Sequence, residues 1–233
     1  IGARFMNISY KLVDSLWNET RGHFETLNDE DGNTQQLESY IHWQYRINDK
    51  IEFNTGLHYQ HLTLDNQIAI EPRLAFKWRP FQNQTLNIGY GLHSQRQPMY
   101  MYFNRTVLDD GSYVQPNLNL DFSKSHHFVV GYDWNITEHM RIKAETYYQR
   151  LFDVVVEQNP SSYASVNAGS QQYFIPDSLE NGGWGQNYGI ELTVERFLHK
   201  GFYYLATLSL FDSQYEGSDG ERRSTQFDSD YVF

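Results

Sequence analysis

Met140-Arg141-Ile142-Lys143-Ala144-Glu145-Thr146-Tyr147-Tyr148-Gln149 decides the fold. Met140, Ile142, Ala144, Thr146 and Tyr148 share one parity, while Arg141, Lys143, Glu145, Tyr147 and Gln149 share the other. A strand turns such a sequence into one apolar and one polar face, whereas a helix would spread both sets around its circumference. The same period of two returns on both sides of this stretch. Leu37, Ser39, Ile41, Trp43, Tyr45 and Ile47 oppose Glu38, Tyr40, His42, Gln44 and Arg46; Ile70, Pro72, Leu74, Phe76 and Trp78 oppose Glu71, Arg73, Lys77 and Arg79. Leu86 to Leu92, Phe128 to Trp134 and Tyr188 to Val194 repeat it. Pro72 cannot donate to a ladder, so a bulge or a strand start is expected there.

The runs are long for a globular sheet, at 9 to 14 residues, against ~5–6 for soluble strands and ~9–11 for a tilted strand crossing a bilayer. Connections sort by length. Short turns are expected at Asn48-Asp49-Lys50, from Pro80 to Gln84, from Asn135 to His139 and at His199-Lys200-Gly201. Longer polar links are expected at about 15–35, 65–68, 94–122, 152–185 and 213–223. Transmembrane barrels alternate short periplasmic turns with longer external loops in this way. About ten strands follow, the first at 3–13 and the last at 224–233. Trp43, Tyr45, Trp78, Phe81, Trp134, Phe197, Phe202 and Tyr204 gather near the short-turn ends, where an interfacial girdle is expected.

Composition agrees with a membrane-facing all-β chain. Only 39% of the 233 residues are hydrophobic while 16% are aromatic, and mean hydropathy is −0.66. No stretch approaches the ~18 apolar residues of a spanning helix, but a barrel strand shows lipid only every second side chain. The absence of cysteine excludes disulfide frameworks and thiolate metal sites. A net charge of −11 argues against a nucleic-acid partner.

Two blocks resemble the barrel of TonB-dependent outer-membrane receptors, especially those of Bacteroidetes. The first is Glu71-Pro72-Arg73-Leu74 through Trp78, then Gly89-Tyr90-Gly91-Leu92-His93-Ser94-Gln95 and Gln97-Pro98-Met99-Tyr100-Met101-Tyr102-Phe103. The second is Asn187-Tyr188-Gly189-Ile190-Glu191-Leu192-Thr193-Val194-Glu195-Arg196, Lys200-Gly201-Phe202-Tyr203-Tyr204 to Asp212-Ser213, and Arg223 to Phe233. The resemblance implies that residues 1–233 are a C-terminal part of a barrel of about 22 strands, incomplete at both ends and lacking signal peptide, TonB box and plug. It implies an outer-membrane importer of a scarce solute of siderophore, cobalamin, glycan or peptide class. Its partners would be its own plug domain, the TonB complex, membrane lipids and the small-molecule or oligomeric solute, and the resemblance also admits a surface lipoprotein lid. A soluble or surface carbohydrate-binding β-sheet module is the alternative, and a passive porin or barrel enzyme a third reading.

Individual motifs add little chemistry. His126 and His127 point to opposite faces of a strand and cannot share a metal, and His58 and His61 fail by the same parity. Asp212, Glu216, Asp219 and Glu221 with Gly217 and Gly220 offer oxygen ligands to Ca²⁺ without the spacing of a calcium loop, so a solvated external loop is the better reading. Asp31-Gly32 reads as a hairpin turn. Glu71, Arg73, Lys77 and Arg79 should line the lumen, either pairing with a plug or forming a hydrated wall. The Met99 to Phe103 run suits loop packing better than stacking on a ligand. No nucleophile elbow, H-E-x-x-H or phosphate-cradling glycine loop is present; the chain is expected to be no enzyme and to hold no cofactor or metal.

Overall fold

The computed structural model describes residues 1–168, 176 and 178–233. Among them the long strands are β1 (Gly2–Asn18), β2 (His23–Arg46), β3 (Ile51–Leu62), β4 (Gln67–Trp78) and β5 (Gln84–Gln95). A one-turn helix α1 (Met99–Tyr102) and a small hairpin, β6 (Thr106–Val107) with β7 (Tyr113–Val114), interrupt the series. It resumes with β8 (Ser123–Thr137), β9 (Met140–Glu157), β10 (Leu179–His199) and β11 (Phe202–Glu216). Two short strands, β12 (Arg222–Ser224) and β13 (Tyr231–Val232), close the described chain. All but β6 and β7 form one 11-stranded sheet in the order β1-β2-β3-β4-β5-β8-β9-β10-β11-β12, with β13 also on β11, and every pairing in it is antiparallel.

Register carries the alternating pattern across the sheet. Tyr45, Phe53, Phe76, Ile88, Val130, Thr146, Ile190 and Leu210 stand directly opposite one another from strand to strand. One residue away, Gln44, Asn54, Ala75, Gly89, Val129, Tyr147, Gly189 and Phe211 make the matching row on the other face. The first face leaves Ile41, Trp43, Tyr45, Leu74, Ile88, Val130, Ile190 and Leu210 exposed. Apolar side chains left bare over so many neighbouring strands fit contact with lipid rather than water. The second face interlocks. A Cβ on Gly189 would stand 2.9 Å from both the Tyr147 hydroxyl and the Phe211 Cβ, so glycine there makes room for two large rings.

The face assignment gives a direct test. In the full-length protein, Val130→Lys should cost about 2–4 kcal/mol, as a cation does at the bilayer midplane on a barrel's lipid face. Val129→Lys, one residue away on the polar face, should cost far less. Denaturant titration of the heat-modifiable band measures both, and equal losses would refute the assignment.

The short turns fall where expected, at 47–50, 79–83, 138–139 and 200–201, with Lys200 and Gly201 both at positive φ. The aromatic residues placed in the girdle beside them are exposed, from Phe81 at 64% to Trp134 and Tyr204 at 37%. Five expectations need correction. The link expected at 15–35 is a turn over 19–22, because β1 and β2 stay paired out to Asn18↔His23 with one irregularity at Asp14/Ser15. Asp31-Gly32 is therefore no turn: Lys11↔Asp31 and Tyr10↔Gly32 are ladder pairs, and the chain reverses at Gly22, φ 67°. Pro72 is neither bulge nor strand start. It pairs in regular register with Leu57, while pairing to β5 begins only at Arg73↔Gly91, so its missing N–H coincides with the end of that ladder. The strand expected at 224–233 is split into β12 and β13, separated by a turn in which Asp228 N donates to Thr225 O. The link expected at 152–185 is shorter, since β9 runs to Glu157 and β10 starts at Leu179; its residues 169–175 and 177 lie outside the described residues.

The larger of two buried clusters sits on the polar-parity face, at the long-loop end. Leu62, Ala69, Met99, Met101, Tyr102, Phe103, Leu120, Phe122, Val155 and Leu179 form one cluster, with Ile8, Tyr10 and Leu12 of β1 packed against it. From β1 to β9 is six strand steps, about 29 Å across a flat sheet. One cluster that takes in both ends requires the sheet to curl, with this face inside.

Candidate functional site

The inner wall carries a charged network that begins with a missing ladder. Where β4 stops pairing with β5, the backbone of Ser94 loses its partners on that side, and side chains replace them. Ser94 N donates to Glu71 Oε1 at 2.8 Å, and Gln60 Nε2 donates to Ser94 O at 3.1 Å. Glu71 is buried, at 1% exposure, and accepts three further bonds: from Gln60 Nε2 at 2.6 Å, His58 Nδ1 at 2.9 Å and Arg73 at 3.0 Å. Gln36 donates to Gln60 at 2.8 Å and to Glu38 at 3.1 Å, and Arg4 grips Glu38 through two bonds of 2.9 Å. The network thus ties together β1, β2, β3, β4 and β5. A buried carboxylate with this many donors is satisfied within the wall.

Above it, residues 96–122 fold inward rather than away. Met99, Met101, Tyr102 and Phe103 are buried, while Tyr100 stays 40% exposed. The Tyr102 hydroxyl accepts from Gln97 N at 3.3 Å, and burial pushes its pKa up to about 12, so the phenol stays neutral at physiological pH. One flank of the loop is fixed to β1 and β2. The Phe103 ring lies tilted against Tyr10 at 4.8 Å, Arg105 donates to Glu30 at 2.8 Å and to Asp29 O at 2.7 Å, and Gln115 reaches Glu30 at 2.9 Å. The other flank is fixed to β9 and β10. Asn181 bonds Asp121 at both its backbone N (2.8 Å) and O (3.1 Å) and also donates to Asp153 O at 2.8 Å, while Asn117 accepts from Leu179 N at 2.9 Å. The loop is a strut across the inside of the curled sheet. Beside it lies a cavity of about 410 Å³, lined in part by His93, Gln95, Arg96, Tyr100, Lys124 and Gln149.

The residues singled out in the sequence separate clearly. His126 faces outward, against the Tyr90 hydroxyl at 3.0 Å and the Phe152 ring at 5.0 Å, while His127 faces inward near His93 and Tyr147. Among the described residues no group of three or more His, Asp or Glu is placed to hold a metal. Asp219 is bound by Arg223 at 2.7 and 2.9 Å, which holds its carboxyl below the usual carboxylate range, and Glu216 lies 3.9 Å from Arg222. Glu71 and Arg73 share the inner face as expected, but Glu71 is spent on the wall and is not available to an incoming partner; Arg73 is half exposed. Arg79 lies in a turn, 3.5 Å from Asp49 O. Sequence reading missed the strut's anchors, Asn117 and Asn181, because each stands in a mixed polar stretch, Gln115 to Asp121 and Glu180 to Gly183, that gives no signal.

A curled antiparallel sheet with lipid-type residues outside, a polar wall inside and a loop folded inward defines part of the wall of an outer-membrane β-barrel. The chain belongs to the TonB dependent receptor-like, beta-barrel family, whose model matches residues 2–231. Among solved structures it is similar to the outer membrane transporter YddB from Escherichia coli, at 15% identity over 91% of this chain and 31% of that one, TM-score 0.61. It is also similar to a mutant of the ferric enterobactin receptor PfeA from Pseudomonas aeruginosa, at 12% identity over 86% and 34%, TM-score 0.60. The FrpB iron transporter from Neisseria meningitidis matches at 12% identity over 81% and 27%, TM-score 0.57. The chain spans about a third of the length of these structures. Among curated protein sequences none matches.

Proposed function

We propose that this chain is part of the wall of an energised importer that takes a scarce solute from the cell surface and passes it inward past a plug domain under the control of TonB. Family membership makes transport the frame, and the observation that carries the reading is the strut. A passive pore gains from an open lumen, whereas here residues 96–122 are tied to the wall on two sides and leave a cavity at the loop end of the lumen. Lys124 is paired with Asp121 and Asp153 at 3.2 and 2.9 Å, so Arg96 and the exposed Tyr100 ring give that cavity its cationic and stacking surface, which suits a polar or anionic solute with an aromatic or planar part better than a lipid. A siderophore of catecholate type meets that description, with cobalamin, glycans and peptides as the other classes. The plug would stand against the inner wall, and a lipoprotein lid would meet the loops.

The test is accumulation in cells carrying the full-length protein, with and without TonB, using a labelled ferric catecholate, cobalamin, an oligosaccharide and an oligopeptide as probes. One probe class should accumulate, and only when TonB is present. Accumulation that is indifferent to TonB would make the protein a passive pore. Recovery of the protein as a detergent-independent soluble monomer would overturn transport altogether.

A further inference from the structure

On the lipid-facing side, one row of the sheet reads Leu74, Tyr90, Phe128, Tyr148 and Tyr188. This is an aromatic band at the long-loop edge of the apolar surface, the level at which a bilayer's hydrocarbon gives way to headgroups. The next outward row toward the loops changes character, to Leu92, His126, Arg150, Gln186 and Gln214. Three strands meet there. The guanidinium of Arg150, from β9, stands 4.1 Å from the centre of the Trp184 ring on β10, and that of Arg222, from β12, stands 4.7 Å from the same centre. Among the described residues Arg150 forms no ion pair. Arg222 is exposed and has only Glu216 at 3.9 Å, a loose pair. Gln186 and Gln214 bond each other at 3.2 Å, and Gln214 also donates to Asp212 at 3.0 Å.

We infer that Arg150, Trp184 and Arg222 form a site for the phosphate of an anionic lipid headgroup in the outer leaflet. The inference rests on the membrane reading of the fold. Two guanidinium groups gathered over one indole repel each other unless an anion joins them. The ring fixes both by cation–π attraction while leaving their N–H edges free. A planar fork of donors suits a phosphate, which it binds through two oxygens at once. General basicity does not account for the pair, because the chain carries a net charge of −11. Position selects a lipid over a free anion, since the site stands directly above Tyr148 and Tyr188, whose rings would border the acyl chains of the same molecule. Such lipid anchoring would hold β9, β10 and β12 together at their long-loop ends.

The test uses the full-length protein, purified in nonionic detergent and stripped of lipid, with detergent-solubilised bisphosphorylated lipid A as the probe and phosphatidylcholine as the control. Native mass spectrometry counts bound lipid. Lipid A should bind in preference to phosphatidylcholine. Arg150→Ala with Arg222→Ala should weaken it by roughly 30-fold, because one interfacial cation strengthens attraction to an anionic lipid surface about fivefold. If that variant does not fold, Arg150→Lys with Arg222→Lys keeps the charge, loses the fork and should bind several-fold more weakly than wild type. Equal binding by wild type and the folded variants would overturn the site. Binding of inorganic phosphate as tightly as lipid A would overturn its assignment to a lipid. Heat-modifiable migration of the wild type keeps the two readings apart: its loss would sink the membrane fold itself.

Discussion

Glu71→Ala in the full-length receptor is expected to destabilise the barrel by about 3–5 kcal/mol, the range for removing one partner from a buried charged pair. The cost comes from what the substitution leaves behind. Gln60 Nε2, His58 Nδ1 and Ser94 N all point at the vacated carboxylate, at 2.6, 2.9 and 2.8 Å, and each buried donor without a partner carries its own desolvation penalty. Ser94 matters most for the fold. Its N–H lies where the β4–β5 ladder has already ended, so no backbone acceptor replaces the carboxylate. Glu71→Gln retains the volume but aims an amide at the same donors, and should fall between wild type and alanine. Arg4→Ala provides the contrast. Arg4 is 64% exposed in its pair with Glu38, so its loss should stay within about 1 kcal/mol. Denaturant midpoints of the heat-modifiable form measure all three, and a Glu71→Ala cost no larger than that of Arg4→Ala would show the network to be surface decoration.

Glu71 also shows which parts of the molecule were legible in sequence. Its face was readable, since strand parity alone puts it with Arg73 on the polar side, and the register bears this out. Its employment was not, because that depends on Ser94, on the next strand, lacking a ladder partner. Parity works wherever lipid lies on one side, as in 140–149 and 186–194. It fails beyond the membrane. In β1 and β2 the outer positions Asn7, Ser9, Lys11, Asn33 and Gln35 face no lipid, so the alternation fades and a paired hairpin reads as a polar loop. Asp31-Gly32 has the composition of a turn, but tertiary pairing with β1 overrides that preference. The strut had one visible sign, a run of large apolar residues from Met99 to Phe103 in a loop that should be polar. Its anchors were hidden, because Glu30, Asn117, Asp121 and Asn181 are spread over 151 residues of chain and meet only through the curl of the sheet. Arg150, Trp184 and Arg222 are concealed in the same way.

Tyr102→Ala should release the strut without unfolding the wall. Tyr102 is 1% exposed at the centre of the inner cluster, and truncating a fully buried aromatic residue costs about 3–5 kcal/mol. The Gln97 N–H that the hydroxyl accepts would also lose its partner. That energy falls on a small unit. The loop meets the sheet through side chains and a few backbone bonds, such as Arg105 N to Leu27 O at 2.8 Å, whereas β5 and β8 hold each other by a continuous ladder from Gln84↔Trp134 to Gln95↔Ser123. Local opening therefore becomes cheap while global opening does not. Hydrogen exchange in the full-length protein reads the difference. Protection of Met101 N and Leu120 N, bonded to Pro98 O and Asn117 O, should fall by about 100-fold or more, as a loss of ~3 kcal/mol implies, with ladder amides of β5 and β8 unchanged. Tyr102→Phe, which removes one hydrogen bond and keeps the ring, should cost only about 1 kcal/mol. Should the ladder amides lose protection along with the loop, strut and wall would be one cooperative unit. The loop could then not move without loosening the barrel, and the proposed import would need its moving part elsewhere.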